Sequence, residues 1–349
     1  MAAKPRIIDG DGHVIEDLEA IYQYLPASYR GYMSPNTMFP PLDHLHSGRA
    51  TTTPPQRDKR GKVGPVEWEA FLKDVGIEST VLYPTSGLSY GKMVSIDYAI
   101  ELCRAYNNWL HDVYLKASPV FYGMALIPMQ DPSAAVEELR RSVKELGMVG
   151  AMMPSNGLHS PLGSPEYFPI YAEAERLGAS LAIHGGAHDR FGMDQMNMYV
   201  PVHALGHPFG LMINCGSVVY NGIFERFPNL RVGFMEGGVA WLLLCLERFE
   251  ASHATHFQFM PPGQYGPKED EKADKYVVRH IKAGRMFVGC EGEERTLGLA
   301  VKWAGNTPFM YSSDYPHEVT NESCKHDIEE LLENDDLTDS DKRAILCDN

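Results

Sequence analysis

Eight short runs of β-branched and apolar residues, each closing on polar residues, set the rhythm of this chain. They cover residues 6–11, 79–83, 120–126, 148–153, 180–184, 230–236, 285–289 and 308–313. Helical patterns fill the intervals. Asp131 and Pro132 supply an N-cap and a first-turn proline, Val136, Leu139, Val143 and Leu146 recur at helical spacing, and Gly147 ends the segment. Tyr167, Tyr171, Ala174 and Leu177 repeat the pattern before Gly178, and residues 241–249 read as a buried helix. Strands alternating with helices predict a parallel sheet. Eight of them fit a (β/α)8 TIM-type barrel, where five or six would suit an open doubly wound sheet. No GxGxxG or GxxxxGK[ST] pattern follows any run, which argues against a nucleotide-dependent enzyme.

Two stretches break the rhythm. Residues 31–65 are rich in Pro, Thr, Gly and Arg and hold no period, so they read as a long insertion after the first strand: a lid, an interface arm or a passive excursion. Residues 261–274 read as a second long loop. The expectation is a single barrel domain over residues 1–349, with 31–65 as an insertion within it.

Composition narrows the function. The chain of 349 residues carries a formal charge of −15 and no basic run, so it lacks the footprint of a nucleic-acid binder. Its apolar maximum, residues 239–246, is far shorter than the ~20 residues of a membrane helix. No signal peptide precedes the first run, and six cysteines are scattered without CxxC pairs. The expectation is a cytoplasmic enzyme acting on a small molecule.

Chemistry gathers at the run ends. The first closes on Asp11-Gly12-His13. Residues two apart on a strand share a face, so both side chains can reach one ion, with Asp9 on the same parity but deeper. Asp11 reads equally as a cap for the next helix. The fifth run ends at His184 before two glycines, and this histidine has a structural reading too. The sixth ends at Glu236, which also suits the first turn of a helix. The eighth leads into Asp314, where a carboxylate beside a buried strand is costly unless paired, protonated or bound to a cation. Together these ends place Asp, His, His, Glu and Asp around one barrel rim. Mixed N/O donors suit one catalytic divalent ion, Zn2+ first and Mn2+ or Fe2+ as alternatives, with the carboxylates shifting the balance away from zinc.

The segments IIDGDGHVIED, LAIHGG, HALGHPFG, GIFERFPNLRVGFMEGG, YSSDYPH and the closing RAILCDN resemble the amidohydrolase superfamily. The match is to its amidohydrolase-2 branch, which includes aminocarboxymuconate-semialdehyde and γ-resorcylate decarboxylase-like enzymes. The resemblance runs nearly end to end. It implies a (β/α)8 barrel with one divalent metal held by Asp11, His13, His184 and Asp314, and a homodimer or higher oligomer. Asp11 departs from the pattern, since many members carry histidine there and some decarboxylases glutamate. An anion in that place lowers the Lewis acidity of the ion. Glu236 departs further: the decarboxylase-like enzymes typically have histidine there, acting as acid/base. It resembles a set of members with Glu-Gly/Ala-Gly-x-x-Trp, for which Trp241 is the matching tryptophan.

Other residues read as lining the pocket. His203 and His207 share a helical face, with Pro208 marking His207 as a helix boundary, and they suit a substrate carboxylate or phenolate. Of the glutamates after the seventh run, Glu294 is the candidate, although such a cluster also reads as a solvated face. Trp241 joins this group. His317 suits support of a ligand, and Glu16 suits either pairing with Arg30 or support of the site. The main functional expectation is a hydrolase using metal-activated water, with Asp314 or Glu236 moving the proton. The alternative is a non-oxidative decarboxylase of a hydroxybenzoate-like acid; a third reading is a catalytically silent barrel used for binding. The substitution at Glu236 tilts the expectation towards hydrolysis.

Overall fold

The computed structural model describes residues 5–31, 34–45 and 63–349. Its eight strands are β1 (Ile8–His13), β2 (Ser79–Tyr83), β3 (Phe121–Leu126), β4 (Gly150–Pro154), β5 (Ser180–His184), β6 (Arg231–Met235), β7 (Met286–Cys290) and β8 (Phe309–Tyr311). Neighbours pair in chain order, all parallel. The ring is drawn shut just past β8. There the Asp314 N–H donates to the Asp11 carbonyl at 2.9 Å, and the His13 N–H to the Tyr315 carbonyl at 2.7 Å. With helices between successive strands, the architecture is the (β/α)8 barrel.

The first strand begins and ends two residues later than its apolar run, so His13 is its last residue. Its pairing with β2 shifts register between Asp9 and Gly12. Asp9 lies deeper than Asp11, as expected, and its carboxylate sits in the β1/β2/β8 seam. It accepts from Thr80 Oγ1 at 2.7 Å, Ser313 N at 2.8 Å and Ser313 Oγ at 2.9 Å. Asp9 ties the seam together below the mouth.

The helices follow from their caps. Asp131 accepts the Ser133 and Ala134 N–H groups at 2.9 and 3.1 Å, and Pro132 opens the helix Pro132–Lys144. Gly147 and Gly178 take the left-handed backbone that turns the chain at the helix ends. The helix over the sixth strand is longer than its apolar run, Ala240–His256, and buries Trp241, Leu242, Cys245 and Leu246. Pro208 does not end its helix: Tyr199–Tyr220 continues through it. A proline inside a helix costs about 3 kcal/mol. Burial of Leu211, Asn214, Cys215 and Val218 beyond it offsets that cost, as does Asn214, which donates to the Ser155 carbonyl at 2.7 Å.

Of the insertion, residues 32–33 and 46–62 lie outside the described residues. Pro65 belongs to a helix, Pro65–Val75, as its first residue. Residues 34–45 are a strap laid against the barrel mouth. Ser89 Oγ donates to the Pro40 carbonyl, Lys92 Nζ to Pro41 at 2.6 Å and the His188 N–H to Leu42 at 3.0 Å. Among the described residues, no helix is long and apolar enough to cross a membrane.

One buried histidine away from the mouth makes the fold acid-sensitive. His280 is fully buried on the helix Ala273–Lys282, stacked on Phe224. Arg285 Nη1 donates to its Nδ1 at 3.0 Å, which fixes the neutral ring. Burial and Arg279 pull its pKa down to about 4 against the opposing pull of Glu225. The folded pKa lies below the unfolded value. The contribution to stability is therefore complete above the unfolded pKa and drains as pH falls towards 4, by up to about 3 kcal/mol. Thermal unfolding of His280→Phe is expected to lose less melting temperature than wild type between about pH 7 and about pH 5. Equal losses would remove His280 from the account.

Candidate metal centre at the barrel mouth

β1 delivers Asp11 and His13, β5 His184, and the turn after β8 Asp314, all to the C-terminal mouth. The tautomers follow from bonds on the far side of each ring. His13 Nδ1 donates to the Pro84 carbonyl at 2.8 Å, and His184 Nδ1 to the Gly185 carbonyl at 2.8 Å. A carbonyl can only accept, so each Nε2 presents a lone pair inward. Those lone pairs face carboxylates. His184 Nε2 lies 3.1 Å from Asp11 Oδ1, and His13 Nε2 lies 3.6 Å from Asp11 Oδ1 and 3.4 Å from Asp314 Oδ1.

Acceptors thus converge with no proton left to share. Asp11, His13 and His184 bring ligand atoms within 4.8 Å of one another, as do His13, Asp314 and His317. His13 Nε2 is buried without a hydrogen-bond partner. Burial drives the Asp11 carboxyl up and the His13 imidazole far down. A divalent cation is the group that relieves all of this at once, and two imidazoles with two carboxylates are a donor set that fits one. An anion would add further lone pairs to the cluster, and one water molecule brings only two protons to these four side chains.

Asp314 and Glu236 share an unusual backbone. Glu236 follows β6 directly, Asp314 follows β8 after Ser312 and Ser313, and they take left-handed φ, 60° and 53° respectively. Non-glycine residues held there concentrate at functional sites. Behind Asp314 stands His317, whose Nδ1 is 2.7 Å from Asp314 Oδ1 and whose Nε2 is 2.9 Å from Thr85 Oγ1. Burial pulls the His317 pKa down, but Asp314 more than offsets it and the net shift is upward.

Glu236 lies beside the donor cluster. Its Oε2 is 3.2 Å from His184 Nδ1 and 3.5 Å from His207 Nδ1. Burial, then Asp314 and Asp11, push its carboxyl well above the usual carboxylate range. It shares a narrow cleft with Asp11, Glu291, Ser312 and Asp314.

The remaining candidates fall in different places. His207 is buried in the helix Tyr199–Tyr220, and His203 lies one turn away on its exposed flank, ring centres 4.9 Å apart. Trp241 is buried against Phe234, behind Gly237 of the mouth cleft. Glu294 is a cap: its carboxylate accepts from Val239 N at 2.6 Å, at the start of the helix Ala240–His256, and from Glu291 N at 3.0 Å. Its oxygens are occupied, and its neighbour Glu291 is the more open of the two, with its carboxyl pushed up to about 8 by burial and by Glu294. Glu294→Ala is expected to cost about 1–2 kcal/mol in urea unfolding, the usual worth of a helix cap; no loss would return Glu294 to the substrate.

Glu16 does not pair with Arg30. Its carboxylate accepts the N–H groups of Thr85, Ser86 and Gly87 at 3.1, 3.0 and 2.9 Å, fixing the loop after β2 that carries Thr85 towards His317. Asp43 and His188 were not singled out by sequence. Asp43 Oδ2 accepts from His188 Nδ1 at 3.1 Å, joining the strap to the histidine cluster. A lone DH pair separated by 145 residues carries no local signal.

An eight-stranded parallel barrel whose C-terminal mouth gathers Asp11, His13 and His184 within ligand distance of one another, and Asp314 and His317 with the same His13, defines a class, the (β/α)8 proteins with a metal-type site at the mouth. Within it, this chain belongs to the amidohydrolase family, whose sequence profile matches residues 8–349. A 2-amino-3-carboxymuconate-6-semialdehyde decarboxylase of Dictyostelium discoideum is 32% identical over 165 residues, 47% of this chain and 44% of that protein. The chain thus matches less than half the length of that relative. A γ-resorcylate decarboxylase of Rhodococcus jostii is 28% identical over 250 residues, 65% of this chain and 70% of that one. Among solved structures, the 5-carboxyvanillate decarboxylase of Novosphingobium aromaticivorans, complexed with manganese and 4-hydroxy-3-methoxy-5-nitrobenzoic acid, superposes with a TM-score of 0.73 at 19% identity. That superposition covers 99% of this chain and 94% of the other.

Proposed function

We propose that this protein is a divalent-metal-dependent, non-oxidative decarboxylase of a small hydroxylated aromatic acid or a related acid. The observation that carries the reading is the convergence of His13 Nε2, His184 Nε2, Asp11 and Asp314 without a proton to share. The relatives supply the reaction type, since both curated ones named above are decarboxylases. They favour this reading over the hydrolase expected from Glu236 alone, and it displaces that expectation here. The proposed metal is Mn2+ ahead of Zn2+, because two hard carboxylates share the donor set and the superposed decarboxylase binds manganese.

Asp11, His13, His184 and Asp314 would hold the ion. When bound, it supplies positive charge for a substrate carboxylate and an adjacent hydroxyl. The chain's own part is the proton. Asp314 sits at the cleft with His317 behind it. It takes a proton from His317 and gives it to the ring carbon bearing the carboxylate; the bond from that carbon to the carboxylate carbon then breaks, its electron pair returns to the ring and CO2 leaves. His317, hydrogen-bonded to Asp314 and Thr85, regains its proton from the solvent side. Glu236, facing His184 and His207, is left free of this step.

The protein supplied with Mn2+ is expected to release CO2 from at least one member of a hydroxybenzoate panel. Turnover of amides or esters with no CO2 from any acid would restore the hydrolase. No turnover of either class by metal-loaded protein would favour the silent barrel.

A further inference from the structure

Glu236 and His207 form a pair that neither the donor cluster nor the proton step uses. Glu236 Oε2 and both ring nitrogens of His207 are buried without a hydrogen-bond partner. Oε2 and Nδ1 stand 3.5 Å apart, at the outer limit of a direct bond. The backbone is cleared for this arrangement. A Cβ on Gly185 would come within 2.4 Å of His207 Nδ1, and one on Gly206 within 2.2 Å of the His188 ring. Glycine at both positions lets the helix Tyr199–Tyr220 bring His207 over the end of β5. The ring is also backed from outside: His188 packs edge-on against it with centres 4.6 Å apart, and Asp43 of the strap holds His188. Glu236 arrives from the other side on its left-handed backbone, with its carboxyl lining the cleft beside Asp314.

We propose that Glu236 and His207 together read a hydroxyl group of the substrate, on the flank of the cleft away from Asp11, His13 and Asp314. A hydroxyl both donates and accepts, so it satisfies a carboxyl oxygen and a ring nitrogen at once, whichever of the two carries the proton. A methyl group or hydrogen in its place leaves both buried groups unsatisfied. The inference rests on the decarboxylase reading for the kind of molecule bound, and it names the substituent that the site selects.

The test measures binding, so it does not depend on CO2 release. Affinities of resorcinol and phenol for the Mn2+-supplied protein are compared by calorimetry in wild type, His207→Phe, Glu236→Ala and His207→Gln. Wild type is expected to prefer resorcinol by at least about 10-fold, the scale on which a site built for a hydroxyl rejects the analogue lacking it. The preference should fall towards unity in His207→Phe and in Glu236→Ala, and persist in His207→Gln, which keeps a donor and an acceptor. Should one variant fail to fold, the other carries the same reading. A wild type that does not discriminate, or binds neither, overturns the proposal, as does a preference that survives in the folded variants. Failure of decarboxylation alone leaves the binding preference measurable.

Discussion

Replacing Asp314 with asparagine is expected to lower the rate of CO2 release by about 10²–10⁴-fold, the usual worth of a positioned general acid. Asparagine is close in shape and keeps an oxygen that can face His13 Nε2, now 3.4 Å from Asp314 Oδ1. It has no proton to give to carbon. The substitution therefore separates two duties that meet on one residue. Metal content measured beside turnover distinguishes them: a large loss of kcat with the metal retained assigns the proton to Asp314. A loss below about 10-fold would move the proton elsewhere. Glu236→Gln is the paired control, and on this account it affects discrimination between substrates more than the rate with the best one.

The second large effect concerns the metal itself. In the absence of a cation, Asp11, His13 and His184 crowd lone pairs and a carboxylate into a volume with almost no exposure to water. Binding to the folded state alone stabilises by about 2.7 kcal/mol at a ligand concentration 100 times the dissociation constant. Mn2+ should accordingly raise the melting temperature of chelator-treated wild type by several degrees, about 2–4 °C per kcal/mol for a chain of 150–250 residues and somewhat less here. Asp11→Ala and His184→Ala should lose both this increment and turnover. An equal rise in wild type and variants would place the binding elsewhere. The variants without metal need not be less stable than the wild type without it, since each removes part of an uncompensated cluster.

How much of this was legible in the chain depends on the range over which each feature is set. The eight strands were, because apolar runs closed by polar residues and capped helices are local signals, and their boundaries moved by at most two residues. The strand-end positions of Asp11, His13, His184, Glu236 and Asp314 followed with them. A residue closing a barrel strand reaches the mouth whatever the loops do. Asp9, read as lying deeper, is indeed below the mouth, but its partners Thr80 and Ser313 belong to other strands and loops and were not legible locally. Pro208 failed because a local propensity met a buried face worth more.

Loop contacts were out of reach. Glu16 meets Thr85, Ser86 and Gly87 some 70 residues on, His317 meets Thr85 across 232, and Asp43 meets His188 across 145. Nothing periodic in a loop fixes where it returns. The same limit applies to the row of glutamates after β7: three carboxylates in four positions give no sign of which one caps a helix, and Glu294 does. Reaction type lay further off still. Glu236 in place of a histidine points to hydrolysis when taken alone, and the decarboxylase relatives point the other way.

The central claim is a single cation at the focus of four side chains. Crystals of the protein grown with Mn2+ and measured at a wavelength giving manganese anomalous signal test it directly. The account predicts one strong peak per chain within about 2.0–2.3 Å of His13 Nε2, His184 Nε2 and carboxylate oxygens of Asp11 and Asp314. An empty focus at saturating Mn2+ and again at saturating Zn2+, with His13 and His184 still facing Asp11, would contradict it.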